Sequence, residues 1–207
     1  VDCQAIRISP SFALKLTAFE QQVIYERIKE VYPEEVQWMP ALSAKKPFKA
    51  LLSQSPEVFI STFNAVSTTY RHTHLNHNIP LKKLNALADH WSFKNLVNTA
   101  LMDKALGKVA RSLLFVDPSR EKMHEQSAFF LGLIALRFEW FNKADRFFER
   151  GQKEAYYQMD KDKALFWRYL TTKKKKYLHT LSESFDLNLY SAYARELLKK
   201  KPYPVLS

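Results

Sequence analysis

An all-α fold, built as an open stack of helical hairpins with no sheet, is what this sequence predicts, and three observations carry it. From Ala128 to Leu198 apolar residues recur at helical spacing with little interruption. Only three glycines occur in 207 residues, at 107, 132 and 151, where about fourteen would be average. Tight sheet hairpins, phosphate loops and oxyanion-hole loops all draw on glycine's backbone freedom, so scarce glycine favours helices joined by short turns. Pro10, Pro33, Pro40, Pro47, Pro56, Pro80 and Pro118 sit where helical patterns start or stop. Hydrophobic residues make up 46% of the chain, enough for a core.

Taken in order, Ser9-Pro10-Ser11 opens a short helix through Leu16. Thr17-Ala18-Phe19-Glu20 is a capping box and predicts a helix over 18–31, with Phe19, Val23, Ile24 and Ile28 as its buried stripe. Pro33 stops it and begins a short segment containing Val36, Trp38 and Met39. Pro47 and Pro56 start two more helices, the second carrying Val58, Phe59, Phe63 and Val66 toward Tyr70. Residues 71–79, RHTHLNHNI, are the one irregular polar segment. They mark the expected boundary between two sub-bundles, 1–70 and 80–207, of a single scaffold domain spanning 1–207. Pro80 restarts helix, and Ser92 caps another running toward Leu106. The longest strand-like run is Leu113 to Val116.

Asp117-Pro118 is expected to open the long helix to Arg137, with a turn near Asn142 and a second helix to Gln158. Leu131, Gly132, Ala144, Phe148 and Gly151 fall where a tetratricopeptide-type hairpin places its packing residues. Gly132 and Ala144 are small where helices approach closely, and Phe148 is the large residue filling the gap. Such a hairpin cannot bury its apolar face alone and predicts stacked neighbours. A helix from Lys161, a Lys-rich turn and a helix ending near Glu183 follow. Asp186 caps the last helix, with Leu187, Leu189, Tyr190, Tyr193 and Leu197 facing inward.

The net charge is +11, from 32 Lys and Arg against 21 Asp and Glu. That balance favours a polyanionic neighbour without choosing among nucleic acid, anionic lipid and cell-wall polymer. The clearest runs are Lys173 to Lys176 and Lys199 to Lys201. A single cysteine, Cys3, leaves no intramolecular disulfide and no thiolate cluster. No apolar run approaches the roughly 20 residues that span a bilayer. The start at Val1, without an initiator Met or signal-like leader, predicts a processed protein or an excised segment.

His72, His74 and His77 put three imidazoles within six residues, the chemistry of a zinc or copper site. No Cys, Asp or Glu lies beside them, so the segment reads as a polar connector and no metal or cofactor is assigned. Trp38, Trp91, Trp140 and Trp167 could stack on sugars or bases, but Trp140 and Trp167 sit among other aromatics at core spacing. No nucleic-acid-reading motif is present. Glycine positions exclude nucleophile elbows and phosphate loops. Glu34, Glu35 and Glu149 form no glycosidase pair, and no catalytic residue is assigned.

The run from Lys161 to Leu198, KDKALFWRYLTTKKKKYLHTLSESFDLNLYSAYARELL, resembles the end of the helical domain of soluble lytic transglycosylases, epsilonproteobacterial type. DCQAIRISPSFALKL, KKPFKALL and LNHNIPLKKLN extend the likeness over most of the chain. The resemblance implies a periplasmic enzyme that cleaves peptidoglycan glycan and leaves a 1,6-anhydro ring. It implies a right-handed α-superhelix on which a lysozyme-like catalytic domain docks. In that family the catalytic Glu belongs to a Glu-Ser pair with a Gly-Leu-Met-Gln segment downstream. Glu183-Ser184 spells the pair, but no glycine follows Gly151 and no methionine follows Met159. Glu183 is therefore expected to be a helix-end residue, and HEQSAFF at 124–130 a chance echo. The chain is expected to be a scaffold lacking its catalytic domain, whose partners are that domain and peptidoglycan, with no nucleic acid and no membrane span. The alternative is a stand-alone helical-repeat adaptor for a protein partner.

Overall fold

The computed structural model describes residues 8–201. Among them every regular element is helical. The chain divides into two compact units, Val1–Phe115 and Val116–Ser207.

The first unit is made of short helices. Ser9 accepts a hydrogen bond from Phe12 N–H to cap α1 (Pro10–Ala13). The Thr17–Glu20 capping box starts α2 (Ala18–Ile28) as the sequence predicts. Its stripe is not buried, however: no α2 residue is fully covered, and Phe19 is 77% exposed. Spacing shows which residues share a face, not whether a neighbour covers it. Next come α3 (Pro33–Val36), α4 (Met39–Leu42), α5 (Pro47–Leu52) and α6 (Pro56–Ala65). Three of these carry Pro at their first position and α4 at its second, where no N–H is missed. Val58, Phe59, Phe63 and Val66 are buried, with Phe59 stacked on Phe63 at 5.8 Å and Phe48 edge-on to Phe59 at 6.0 Å.

The polar segment 71–79 lies inside this unit instead of dividing the chain. After α7 (Thr68–Tyr70) comes a π-helical turn, Arg71–Leu75. Arg71 donates to Phe63 and Asn64 carbonyls at the end of α6. Asn76 accepts from Lys108 N–H at 3.1 Å and donates to Ala105 O, satisfying orphan groups at the start of α10 from thirty residues away. The rest of the unit is α8 (Leu81–Ala88), α9 (Phe93–Met102) and α10 (Gly107–Leu113). Ser92 precedes α9 but does not cap it; its hydroxyl pairs with His90 Nδ1 at 2.7 Å. That helix stops at Met102 because Asp103 turns extended. The strand-like run 113–116 begins as the last residue of α10.

The second unit holds the longer helices: α11 (Glu125–Arg137), α12 (Phe141–Glu154), α13 (Gln158–Thr172), α14 (Lys175–Ser182) and α15 (Leu189–Leu197). Asp117-Pro118 does not open the long helix. Asp117 accepts from Ser119 N–H in a local turn, and α11 starts seven residues later, with His124 Nδ1 accepting from Gln126 N–H. The turn falls at 138–140, where Glu139 takes a left-handed φ of 62°. Asn188, not Asp186, caps α15, in a capping box with Ser191.

The hairpin packs as its small residues demand. Leu131, Ala135, Ala144 and Phe148 are all fully buried. A Cβ at Gly132 would lie 2.5 Å from the Phe148 ring, so α11 and α12 meet with that ring seated in the space glycine leaves. At Gly151 an added Cβ would meet the α11 backbone at 3.4 Å. Phe129 and Phe148 then pack on Trp167 of α13, at 6.2 and 5.8 Å. Leu165, Tyr177, Leu178, Leu181 and Ala194 continue this core into α14 and α15.

Gly132→Ala should therefore overpack the crossing and cost about 1–3 kcal/mol, read by chemical denaturation. Gly107→Ala, where nothing lies within 4 Å of the new methyl, should be neutral or stabilising by up to about 1 kcal/mol.

Candidate functional site

The side chains that could engage a partner gather at the two ends of the second unit's helices. Arg168 sets the register between them. Buried near the end of α13, it donates to Asp145 Oδ1 and Glu149 Oε1 of α12, both at 2.8 Å, and to Tyr177 Oη of α14 at 3.0 Å. Burial alone would lower its pKa; the Asp145 hydrogen bond and the charges of Asp145 and Glu149 outweigh that, so the net displacement is upward. The planar fork thus joins three helices with one residue.

This pairing puts the start of α12, the end of α13 and the start of α14 at one end. Lys143 stands on the first turn of α12; Lys173 and Lys174 form the α13–α14 connection and Lys175 and Lys176 open α14, all four exposed. Lys173 takes a left-handed φ of 58° at the C-cap of α13, a conformation glycine would adopt more cheaply. Lys143 lies 5.8 Å from the Trp140 ring centre and Lys173 5.8 Å from that of Tyr169. Burial, then repulsion from Arg146, pushes the Lys143 ammonium below its usual pKa. Asp145, on α12's second turn, is committed to Arg168, and Asp117 acts on Lys143 and Arg146. The five lysines, with the Trp140 and Tyr169 rings beside two of them, give this end a basic surface that complements a polyanion.

The other end is apolar. Asp162, buried, accepts from Gln158 Nε2 at 2.8 Å, Ser184 Oγ at 2.6 Å and Asn188 Nδ2 at 2.8 Å. Hydrogen bonds of this kind are what let a carboxylate be buried. They tie the start of α13 to the α14–α15 connection. Around that knot Tyr156, Tyr157, Met159, Phe185, Leu187 and Leu189 are all exposed, Phe185 by 87%. Of the residues expected inward, Leu187, Leu189, Tyr193 and Leu197 are exposed and Tyr190 is half-covered; Phe166 lies 5.7 Å from the Tyr190 ring and 5.5 Å edge-on to that of Tyr193.

The remaining sequence candidates separate. Glu183 is the C-cap residue of α14, exposed, its carboxylate bonded to Lys200 Nζ. That bond and charge hold it below its usual pKa, the opposite of what a glycan-cleaving general acid needs. In HEQSAFF, Ser127 and Ala128 are buried on α11. His72 Nε2 meets Asp103 Oδ2 at 2.7 Å, His74 stacks on Tyr70 at 4.5 Å, and His77 on Phe48 at 5.2 Å. The three imidazoles diverge, and no group of three or more metal-ligating side chains assembles among the described residues. Trp38 is buried and Trp91 is 70% exposed. Lys199 follows α15 in a left-handed conformation, φ 53°. Cys3 lies outside the described residues. No helix among them is long and apolar enough to cross a membrane.

No protein-family model matches the chain, and no curated protein is significantly similar to it. The site therefore rests on its own geometry. The Arg168 junction and the Asp162 knot escaped sequence reading because each joins residues about twenty positions apart on different helices.

Because Glu183 is depressed in the folded chain, its pairing with Lys200 stabilises above the unfolded carboxyl's pKa and is lost as pH falls through the folded value. A carboxyl-detected NMR titration should place Glu183 below an ordinary glutamate, and Lys200→Met should return it upward.

Proposed function

We propose that this chain is a non-catalytic scaffold of a periplasmic lytic transglycosylase, its hairpins forming part of a right-handed, tetratricopeptide-like superhelix. In this reading it positions a lysozyme-like catalytic domain and holds anionic cell-wall polymer. The cationic end of α12–α14 carries the proposal: Lys143 stands on the first turn of α12, and Lys173 to Lys176, all exposed, lie where α13 gives way to α14. The resemblance of 161–198 supplies the enzyme class, and the ionised, solvent-exposed Glu183 argues against catalysis by this segment itself. The apolar end favours a second reading, a helical-repeat adaptor that docks a protein partner on Tyr156, Tyr157, Phe185, Leu187 and Leu189.

Purified sacculi separate the two. Binding should be measurable at low salt and weaken as salt rises, since charges are screened beyond about 8 Å at physiological ionic strength. Neutralising Lys173 to Lys176 together should reduce it more than neutralising Lys199 to Lys201, and no anhydromuropeptides should be released. Absence of sacculus binding at low salt removes the wall reading and leaves the adaptor. Release that depends on Glu183 overturns the non-catalytic assignment.

A further inference from the structure

We propose that the cavity between α11, α12 and the start of α13 binds a primary ammonium group, presented by an amine-bearing small molecule or side chain. This inference is independent of the wall reading.

The cavity measures about 370 Å³, at the small end of ligand sites, which run from about 300 Å³ upward. Glu125 and Gln126 enter it from the first turn of α11, Phe129 and Phe130 from the next, and Asp160 and Lys163 from α13. Half of it already holds an ammonium. Lys163 Nζ lies 2.5 Å from Asp160 Oδ1 and 4.9 Å from the centre of the Phe129 ring. A carboxylate that accepts the N–H bonds, beside a ring face that attracts the charge, is how proteins hold alkylammonium ions.

The other half repeats these parts without a cation. The Glu125 carboxylate accepts one hydrogen bond among the described residues, from Tyr156 N–H to Oε2 at 3.1 Å. Oε1 has no protein donor among the described residues. The Gln126 side-chain amide, on an exposed residue, makes no hydrogen bond to the described residues, and Phe130 supplies the second ring. An entering ammonium would donate to Glu125 Oε1 and the Gln126 carbonyl. Its alkyl stem would lie on Phe130, Ala155 and Ala164. A negative group meets two carboxylates and one ammonium already paired, so an anion is disfavoured. Glu125 also complements the positive end of α11. That role accounts for the carboxylate but not for the cavity or the second ring.

The test is an NMR titration of the ¹⁵N-labelled chain with n-butylammonium chloride, and with sodium butyrate at matched ionic strength. Butylammonium should shift the amides of Glu125, Gln126, Tyr156 and Lys163 together, and butyrate should not. Glu125→Gln still accepts the Tyr156 N–H and should weaken binding about tenfold, the worth of a hydrogen bond to a charged group. Glu57→Gln, an exposed glutamate of α6, should change nothing. Lys163→Met empties the occupied half and should strengthen binding, a gain that lost folding cannot imitate. Equal affinity in Glu125→Gln, equal shifts from butyrate, or no gain in Lys163→Met would overturn the proposal.

Discussion

The Phe148 ring lying over Gly132 is the contact on which the second unit depends. It lets α11 and α12 approach more closely than any side chain at position 132 would permit. It also turns one ring face outward to meet Trp167, which sets where α13 lies. Interiors packed at crystal density have no slack to absorb a displaced ring, so the position of α13 follows from that one contact. Arg168, one residue along, can then reach α12 and α14 at once.

Two polar junctions finish what packing begins. Arg168 joins three helices near one end, and Asp162 joins α13 to the α14–α15 connection near the other. Both are largely buried charges with their hydrogen-bonding capacity met, the condition under which such groups favour one arrangement over near alternatives. Between them they fix which loops share an end. That is why cations from α12 and the α13–α14 junction stand at one end, while exposed aromatics flank the α12–α13 and α14–α15 connections at the other. The functional character of each end is a by-product of helix direction.

The first unit is held differently. Its helices are short, so fewer of their terminal N–H and C=O groups find partners within a helix. Arg71 and Asn76 supply such partners across the unit, and the Ser112 hydroxyl accepts from the buried N–H of Ile79, in the irregular stretch before α8, at 3.0 Å. The segment that looked most like a linker is therefore among the most heavily bonded. Polar composition marks a segment that needs hydrogen bonds; it does not reveal whether water or the protein provides them.

Local chemistry alone determined much of this protein. The capping box at Thr17, the prolines opening α5 and α6, and the small-and-large spacing of Gly132, Ala144 and Phe148 all act within a few residues or one helix face. Each therefore reads directly as helix start or helix crossing. Tertiary structure alone decided the rest. Phe19, Leu187 and Leu189 have the spacing of a buried stripe but are exposed among the described residues. The chain divides after Phe115 and not at the histidine segment, because Asn76 binds forward to α10. The half-filled ammonium cavity joins α11 to α13 across more than thirty residues. Periodicity fixes direction about a helix axis, whereas burial, pairing and cavities depend on which distant surface arrives, and that is a property of the folded chain.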